Sequence, residues 1–243
     1  MMEASQAHGR RPIEVGRVMN EVFSLYSQYA APLLFSALAI FLVVGSIGGL
    51  LNDTGSIPLQ FLATAIQLAA TALYTGFVVK LVEDVRDGRR DFTVGQLFSS
   101  ASKSLGALIV NGVLWGLAIA IGLLLLIAPG LYLATIWAVC QPAIVAERRE
   151  ALEAFGRSQE LVRGQGWQVF GTILVAILLQ LAVSLIAISV AAGFGIGALI
   201  AAAVIASTLT APISALVATV LFFDLGGGAP EAPADDRQVV IEY

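Results

Sequence analysis

Five polar side chains recur along one apolar stretch at the spacing of a helix face. Gln60, Thr64, Gln67, Thr71 and Thr75 follow one another at intervals of four, three, four and four residues, so they share one side of a helix. Their amides and hydroxyls donate and accept hydrogen bonds. Because such a polar stripe cannot comfortably face lipid, it predicts either hydrogen bonds to facing helices or a polar path for a solute.

Pairing with facing helices is the interpretation that we favour for the polar stripe, because polar side chains commonly join membrane helices in this way. The last two apolar stretches of the chain supply suitable amides and hydroxyls. The candidate partners are Gln180, Ser184, Ser207, Thr208, Thr210 and Ser214.

No residue pattern indicates catalysis or a bound metal. His8 is the only histidine and Cys140 the only cysteine, so no metal-ligand set of these residues exists, and nucleotide-binding and hydrolase motifs are absent. Acidic residues map to polar segments or span ends, which disfavours a proton-coupled transporter. We therefore expect a protein that is not an enzyme and that uses no cofactor and binds no nucleic acid.

Membrane-spanning helices are the elements that must position these residues. Hydrophobic residues make up 58% of the chain and charged residues only 12%, whereas a soluble domain has about 25% charged residues. A helix crosses the hydrocarbon layer with roughly 20 apolar residues, so the sequence predicts an all-α polytopic membrane protein with six spans. The predicted spans are residues 33–51, 57–79, 105–128, 130–146, 167–192 and 196–223.

The boundary between the third and fourth spans is a short tripeptide, Ala128, Pro129 and Gly130. Proline removes a backbone donor and glycine tolerates a tight turn, so a hairpin is predicted there. The alternative is one kinked or re-entrant element. The basic residues favour the hairpin, because a five-span chain would place two basic clusters on opposite sides of the membrane.

Basic residues occur only in the two terminal segments and in alternate connections between the predicted spans, and the intervening three connections have none. Lysine and arginine are retained on the cytoplasmic side of a membrane. Both termini are therefore predicted to be cytoplasmic. The basic residues are Arg10, Arg11, Arg17, Lys80, Arg86, Arg89, Arg90, Lys103, Arg148, Arg149, Arg157, Arg163 and Arg237.

Each pair of predicted spans follows a segment with one apolar helical face. These segments begin near Ile13, Thr93 and Glu150, and they predict three amphipathic helices in the cytoplasmic interface. The chain can then be written three times as amphipathic helix, span and span. Either a threefold repeat, of a kind common in membrane proteins, or a general tendency of polytopic proteins explains this order.

The third of these segments is residues 150–164. The stretch 147–163 carries four arginines and four glutamates, so apolar burial rather than attraction to anionic lipid is predicted to hold the segment at the membrane. Arg157 and Arg163 are predicted to pair with carboxylates at the cytoplasmic ends of the spans. The candidate carboxylates of this charge network are Glu83, Asp84 and Asp224.

The domain organisation predicted from the sequence is one membrane domain with two tails. Residues 1–11 are predicted to be disordered, and residues 12–225 form the six-span domain. Residues 226–243 are rich in glycine, proline and acidic residues, which predicts a flexible tail.

Three segments resemble a known family. They are IEVGRVMNEVFSLYSQYAAPLL (13–34), QPAIVAERREALEAFGRSQELVRGQGWQVF (141–170) and TAPISALVATVLFFDL (210–225). These are similar to the membrane domain of bacterial glycerophosphoryl diester phosphodiesterases and to related uncharacterised integral membrane proteins. The phosphodiesterase of that family resides in a separate soluble barrel domain with histidine and acidic ligands, for which this sequence has no counterpart.

The resemblance implies a protein of the bacterial inner membrane that lacks this activity and is linked to lipid or envelope metabolism. We expect a non-enzymatic accessory module that contacts membrane lipids and an unidentified membrane or cytoplasmic protein. The alternative is a channel or facilitator for a small neutral or amphipathic solute. A wide polar cavity between spans two, five and six would favour the alternative, whereas a tightly packed bundle with an exposed cytoplasmic groove would favour the module.

Overall fold

Ten helices joined by short connections form the described part of the computed structural model, which comprises residues 13–53, 56–88 and 94–228. No strand occurs within these ranges, and the predicted all-α class is confirmed. The helices are α1 (Val15–Gln28), α2 (Ala30–Asp53), α3 (Ile57–Arg86), α4 (Val94–Ser102), α5 (Leu105–Leu125), α6 (Ile127–Ile136), α7 (Cys140–Ala146), α8 (Glu153–Val162), α9 (Gly166–Ala191) and α10 (Ile196–Asp224).

Six segments of the described chain are long and apolar enough to cross a membrane, as predicted. Five of them are the continuous helices α2, α3, α5, α9 and α10. The fourth span is built differently, because α6 and α7 follow one another with a break at residues 137–139. This break determines which side chains the fourth span places in the interior of the bundle.

The hairpin between the third and fourth spans turns earlier than predicted. Leu126 is extended, with φ −164° and ψ 141°, and separates α5 from α6. Ala128, Pro129 and Gly130 lie instead in the first turn of α6, where a proline loses no helical hydrogen bond. A Cβ atom on Gly122 would lie 2.9 Å from the Gly130 Cα, so glycine at position 122 allows the two helices to approach.

The centre of the bundle is formed by α3 and α10. α10 packs against α1, α2, α3, α7 and α9, whereas α3 packs against α2, α4, α5, α7 and α10. The largest fully buried side chains of these two helices lie in their last halves, and they include Tyr74, Phe77, Leu216 and Phe222. α5 and α9 expose many large apolar side chains, which form the kind of surface that a bilayer covers.

The charged end of the bundle, as we call it, is the end that carries Arg17, Arg86, Glu147 and Asp224. Ion pairs join Asp224, the last residue of α10, to Arg17 of α1 and Arg86 of α3. Glu147 follows α7 and accepts a hydrogen bond from the backbone N–H of Gly228. The first helix and the last span therefore meet at this end.

The three short helices α1, α4 and α8 each precede a pair of spans, in the order that the sequence predicted. Their neighbours differ: α1 packs against α2, α9 and α10, α4 against α3, and α8 against α6 and α7. The threefold repeat therefore stays a prediction. The predicted helix start at Thr93 and the predicted tails at residues 1–11 and 229–243 lie outside the described residues, while residues 226–228 form a turn after α10.

A candidate binding chamber between the spans

A polar chamber of about 280 Å³ lies between α2, α3, α7, α9 and α10. Three of the five residues of the predicted polar stripe, Gln67, Thr71 and Thr75, line this chamber. Gln60 and Thr64 do not line it, although all four of Gln60, Thr64, Gln67 and Thr71 are exposed and only Thr75 is buried. The other polar side chains of the chamber walls are Tyr74, Gln141, Gln180, Ser207, Thr210 and Ser214.

The threonine hydroxyls of the chamber bond to their own helices. Thr71 Oγ1 donates to the Gln67 carbonyl at 2.9 Å, Thr75 Oγ1 to the Thr71 carbonyl at 2.9 Å, and Thr210 Oγ1 to the Ala206 carbonyl at 2.8 Å. These threonine hydroxyls therefore do not donate the hydrogen bonds to facing helices that the sequence favours. Each hydroxyl proton is used within its helix, which leaves the oxygen as an acceptor.

Five further polar side chains of the chamber make no hydrogen bond to protein in the described part of the chain. They are the amides of Gln67, Gln141 and Gln180 and the hydroxyls of Ser207 and Ser214. An amide carries two donors and an acceptor, and a serine hydroxyl carries one donor. The chamber therefore offers donors as well as acceptors, and these need partners because an unpaired polar group in the bilayer interior is costly.

The chamber lies halfway along the long helices that form it. Thr71 is near the midpoint of α3, Thr210 is at the midpoint of α10, and Gln180 is near the midpoint of α9. The apolar part of α3, residues 57–79, is about 35 Å long at 1.5 Å per residue, and Gln67 and Thr71 lie next to its midpoint, which falls near the centre of a bilayer. Within the described part of the chain, no charged side chain lines the chamber.

The break in the fourth span brings Gln141 to the chamber. Ser158 of α8 occupies this break: its hydroxyl donates to the Ile136 carbonyl at 2.8 Å and accepts from the Val139 N–H at 3.3 Å. Ser158 is fully buried, so it provides partners for two backbone groups that the interrupted helix leaves free. α7, which begins at Cys140, can then place Gln141 inside the bundle.

The sequence did not identify Gln141 or Ser158 as site residues. A glutamine directly before Pro142 in an apolar stretch was an available signal for the first. Ser158 gave no signal, because its role depends on the packing of α8 against α6 and α7.

Two members of the predicted charge network, Arg157 and Asp224, lie in two separate networks. The first of these centres on Glu147. Arg157 donates to both carboxylate oxygens of Glu147, with its Nη2 at 2.9 Å from Oε1 and its Nε at 2.9 Å from Oε2, and Arg149 Nε donates at 2.9 Å. Burial disfavours the charged carboxylate, but hydrogen bonds from Arg157, Arg149 and the Gly228 amide outweigh it, so the pKa of Glu147 is lowered. Arg157 therefore pairs with a residue outside the predicted set.

The second network centres on Asp224. Arg17 Nη2 lies 3.0 Å and Arg86 Nη2 lies 3.5 Å from its carboxylate oxygens, and Arg86 also contacts Glu21 at 2.7 Å. The Arg86 guanidinium lies 4.9 Å from the centroid of the Phe223 ring. This network joins α1, α3 and α10 rather than α8 and α10.

The remaining predicted members of the charge network lie outside both networks. Glu83 pairs with Lys80 of its own helix at 2.5 Å. Arg163 and Asp84 form no ion pair in the described structure. The difference from the prediction arises because α8 packs against α7, so the carboxylate nearest to Arg157 is the one that follows α7.

No family model matches the chain, and no curated protein and no solved structure matches it either. The resemblance to the phosphodiesterase membrane domain therefore stays a prediction from the three segments that carry it.

Proposed function

We propose that this chain is a membrane facilitator that binds a small neutral solute in the polar chamber and allows it to cross the bilayer. The observation that carries the proposal is a set of amides and hydroxyls without a protein partner in the described chain. Gln67, Gln180, Ser207 and Ser214 lie near the middle of their spans, and Gln141 lies nearer the charged end. Solute sites of membrane transporters commonly lie near the middle of the spans, between helices of which some are discontinuous.

The size and charge of the chamber define the solute class. Its volume of about 280 Å³ has room for a small solute together with water. An ion would lose its hydration without meeting an opposite charge, which is expensive in the membrane interior. The chamber walls therefore favour an uncharged solute of few atoms that both donates and accepts hydrogen bonds.

The facilitator was the alternative hypothesis from the sequence, and the non-enzymatic accessory module has separate support. A groove of about 660 Å³ opens at the charged end, where a lipid or a partner protein would bind such a module. The expectations of no enzymatic activity, no cofactor and no nucleic acid stay predictions.

We further propose that the protein resides in a bacterial inner membrane with the charged end in the cytoplasm. The distribution of lysine and arginine supports this orientation, and the family resemblance supports the location. In intact cells, a cysteine placed at the exposed Glu160 of a Cys140→Ser variant should not react with a membrane-impermeant thiol reagent. Labelling without permeabilisation would reverse the proposed orientation.

Replacing Gln67 and Gln180 together with leucine tests the chamber. In proteoliposomes under an osmotic gradient of glycerol or urea, the wild type should speed solute entry above protein-free vesicles. The double variant should be about tenfold slower, because it loses two hydrogen-bonding groups worth about 0.5–1.5 kcal/mol each, and 1.4 kcal/mol is a factor of ten. Stopped-flow light scattering measures the rates.

Gln60→Leu is the matched control, because Gln60 lies on the same helix but outside the chamber. This variant should keep the wild-type rate. If the wild type does not exceed protein-free vesicles, or if both variants lose flux equally, the chamber is not a solute path.

A further inference from the structure

A groove separate from the chamber opens at the charged end, between α3, α4, α5 and the end of α7. Its floor includes Ala107, in the first turn of α5, and Ile144 and Val145, in the last turns of α7. These residues are the ends of the third and fourth spans. The groove therefore lies where the spans leave the hydrocarbon layer, at the depth of lipid headgroups, and it shares no lining residue with the chamber.

Unpaired charges of both signs line this groove. Asp84 and Asp87 come from the end of α3, whereas Lys103 follows α4 and Arg148 follows α7. None of these four side chains forms an ion pair in the described structure. The groove also contains the ion-paired Lys80 and Glu83. Since opposite charges within 4 Å would pair, the two aspartates lie apart from Lys103 and Arg148, and a ligand with both charges could bridge them.

Arg148 also has an unusual backbone conformation. Its φ of 54° makes it the one non-glycine residue of the described chain with a positive φ. Such a conformation costs free energy for a residue with a Cβ, and it commonly persists at sites that bind ligands. The exposed Arg148 side chain is a member of the groove wall.

We propose that the groove binds the headgroup of a phospholipid that carries a primary ammonium beside its phosphodiester. Lys103 and Arg148 would pair with the phosphodiester, and Asp84 and Asp87 would accept hydrogen bonds from the ammonium. A quaternary ammonium offers no such donors and is usually held by aromatic rings. Among the described residues that line the groove, none has an aromatic side chain.

The lipid itself, rather than a soluble molecule with the same headgroup, is the ligand that fits the groove. The apolar floor residues Ala107, Ile144 and Val145 belong to the ends of the third and fourth spans, so a headgroup bound there would lie at the edge of the bilayer that holds its acyl chains. A free headgroup would gain the polar contacts alone.

Native mass spectrometry of the full chain, with ethanolamine and choline phospholipids of identical acyl chains at equal amounts, tests this proposal. The wild type should retain the ethanolamine lipid about tenfold more often. Asp84→Asn with Asp87→Asn should reduce this preference to about twofold or less. Lys103→Gln with Arg148→Gln should lower the retention of both lipids by a similar factor, since both carry the phosphodiester.

The matched control neutralises two exposed acids outside the groove, Glu14→Gln with Glu160→Gln, and should keep the wild-type preference. Equal retention of the two lipids by the wild type would overturn the proposal. An unchanged preference in the Asp84/Asp87 variant, with unchanged thermal stability, would also overturn it. Binding of soluble phosphoethanolamine as tight as that of the lipid would show that the ligand is a free headgroup.

Discussion

Replacing Glu147 with glutamine should lower the free energy of unfolding by about 3 kcal/mol. The Glu147 side chain is 11% exposed and that of its main partner Arg157 is 17% exposed. Removing one member of such a shielded pair leaves the other charge without compensation, which costs about 3–5 kcal/mol when the pair is fully buried. In detergent, the midpoint of thermal unfolding should fall by roughly 6–12 °C, at about 2–4 °C per kcal/mol.

Glu160→Gln is the matched control, because Glu160 also approaches Arg157, at 3.7 Å, but its side chain is 72% exposed. This variant should unfold at the wild-type temperature, since exposed ion pairs contribute little. Equal stability of the Glu147 and Glu160 variants would contradict a stabilising role for Glu147.

At acidic pH, the wild type should lose the part of its free energy of unfolding that Glu147 contributes. The pKa of Glu147 is lowered from its ordinary value of 4.5, so its contribution is fully present above pH 4.5 and is lost as the pH falls through the lower, folded-state pKa. The stability difference between the wild type and Glu147→Gln should therefore be constant near neutral pH and should shrink below pH 4.5. If this stability difference instead grows as the pH falls, the ion pair with Arg157 does not stabilise the ionised form of Glu147.

Ser158→Ala is expected to have the second large effect. The substitution leaves the Ile136 carbonyl and the Val139 N–H without the partner that each has in the wild type. A buried unpaired backbone group costs about 1–3 kcal/mol, so the two together should lower the free energy of unfolding by at least about 2 kcal/mol. Thermal unfolding in detergent measures the loss, and hydrogen exchange should be faster at the amide of Val139.

Ser46→Ala provides the comparison for Ser158→Ala. Ser46 is exposed, and its hydroxyl donates to the Leu42 carbonyl of its own helix at 2.7 Å. Its removal should leave stability unchanged, because Leu42 keeps its place in the regular helix. If both alanine variants are equally stable, the break in the fourth span does not depend on α8.

The sequence by itself determined the class of the protein and its six spans. The class and the spans depend on composition and on runs of about 20 apolar residues. A helix in lipid must form all its backbone hydrogen bonds internally and present apolar side chains to the lipid. The face shared by Gln67, Thr71 and Thr75 was also predictable, since helical periodicity alone fixes it.

Only the tertiary structure determined which side chains surround those polar residues. The chamber exists because α9 and α10 bring Gln180, Ser207 and Ser214 toward the polar stripe of α3, and no local pattern encodes that packing. Likewise, Arg157 pairs with Glu147, ten residues away in sequence, because α8 packs against α7. Partners of long side chains depend on the distances between packed helices, whereas spans depend on the composition of each segment.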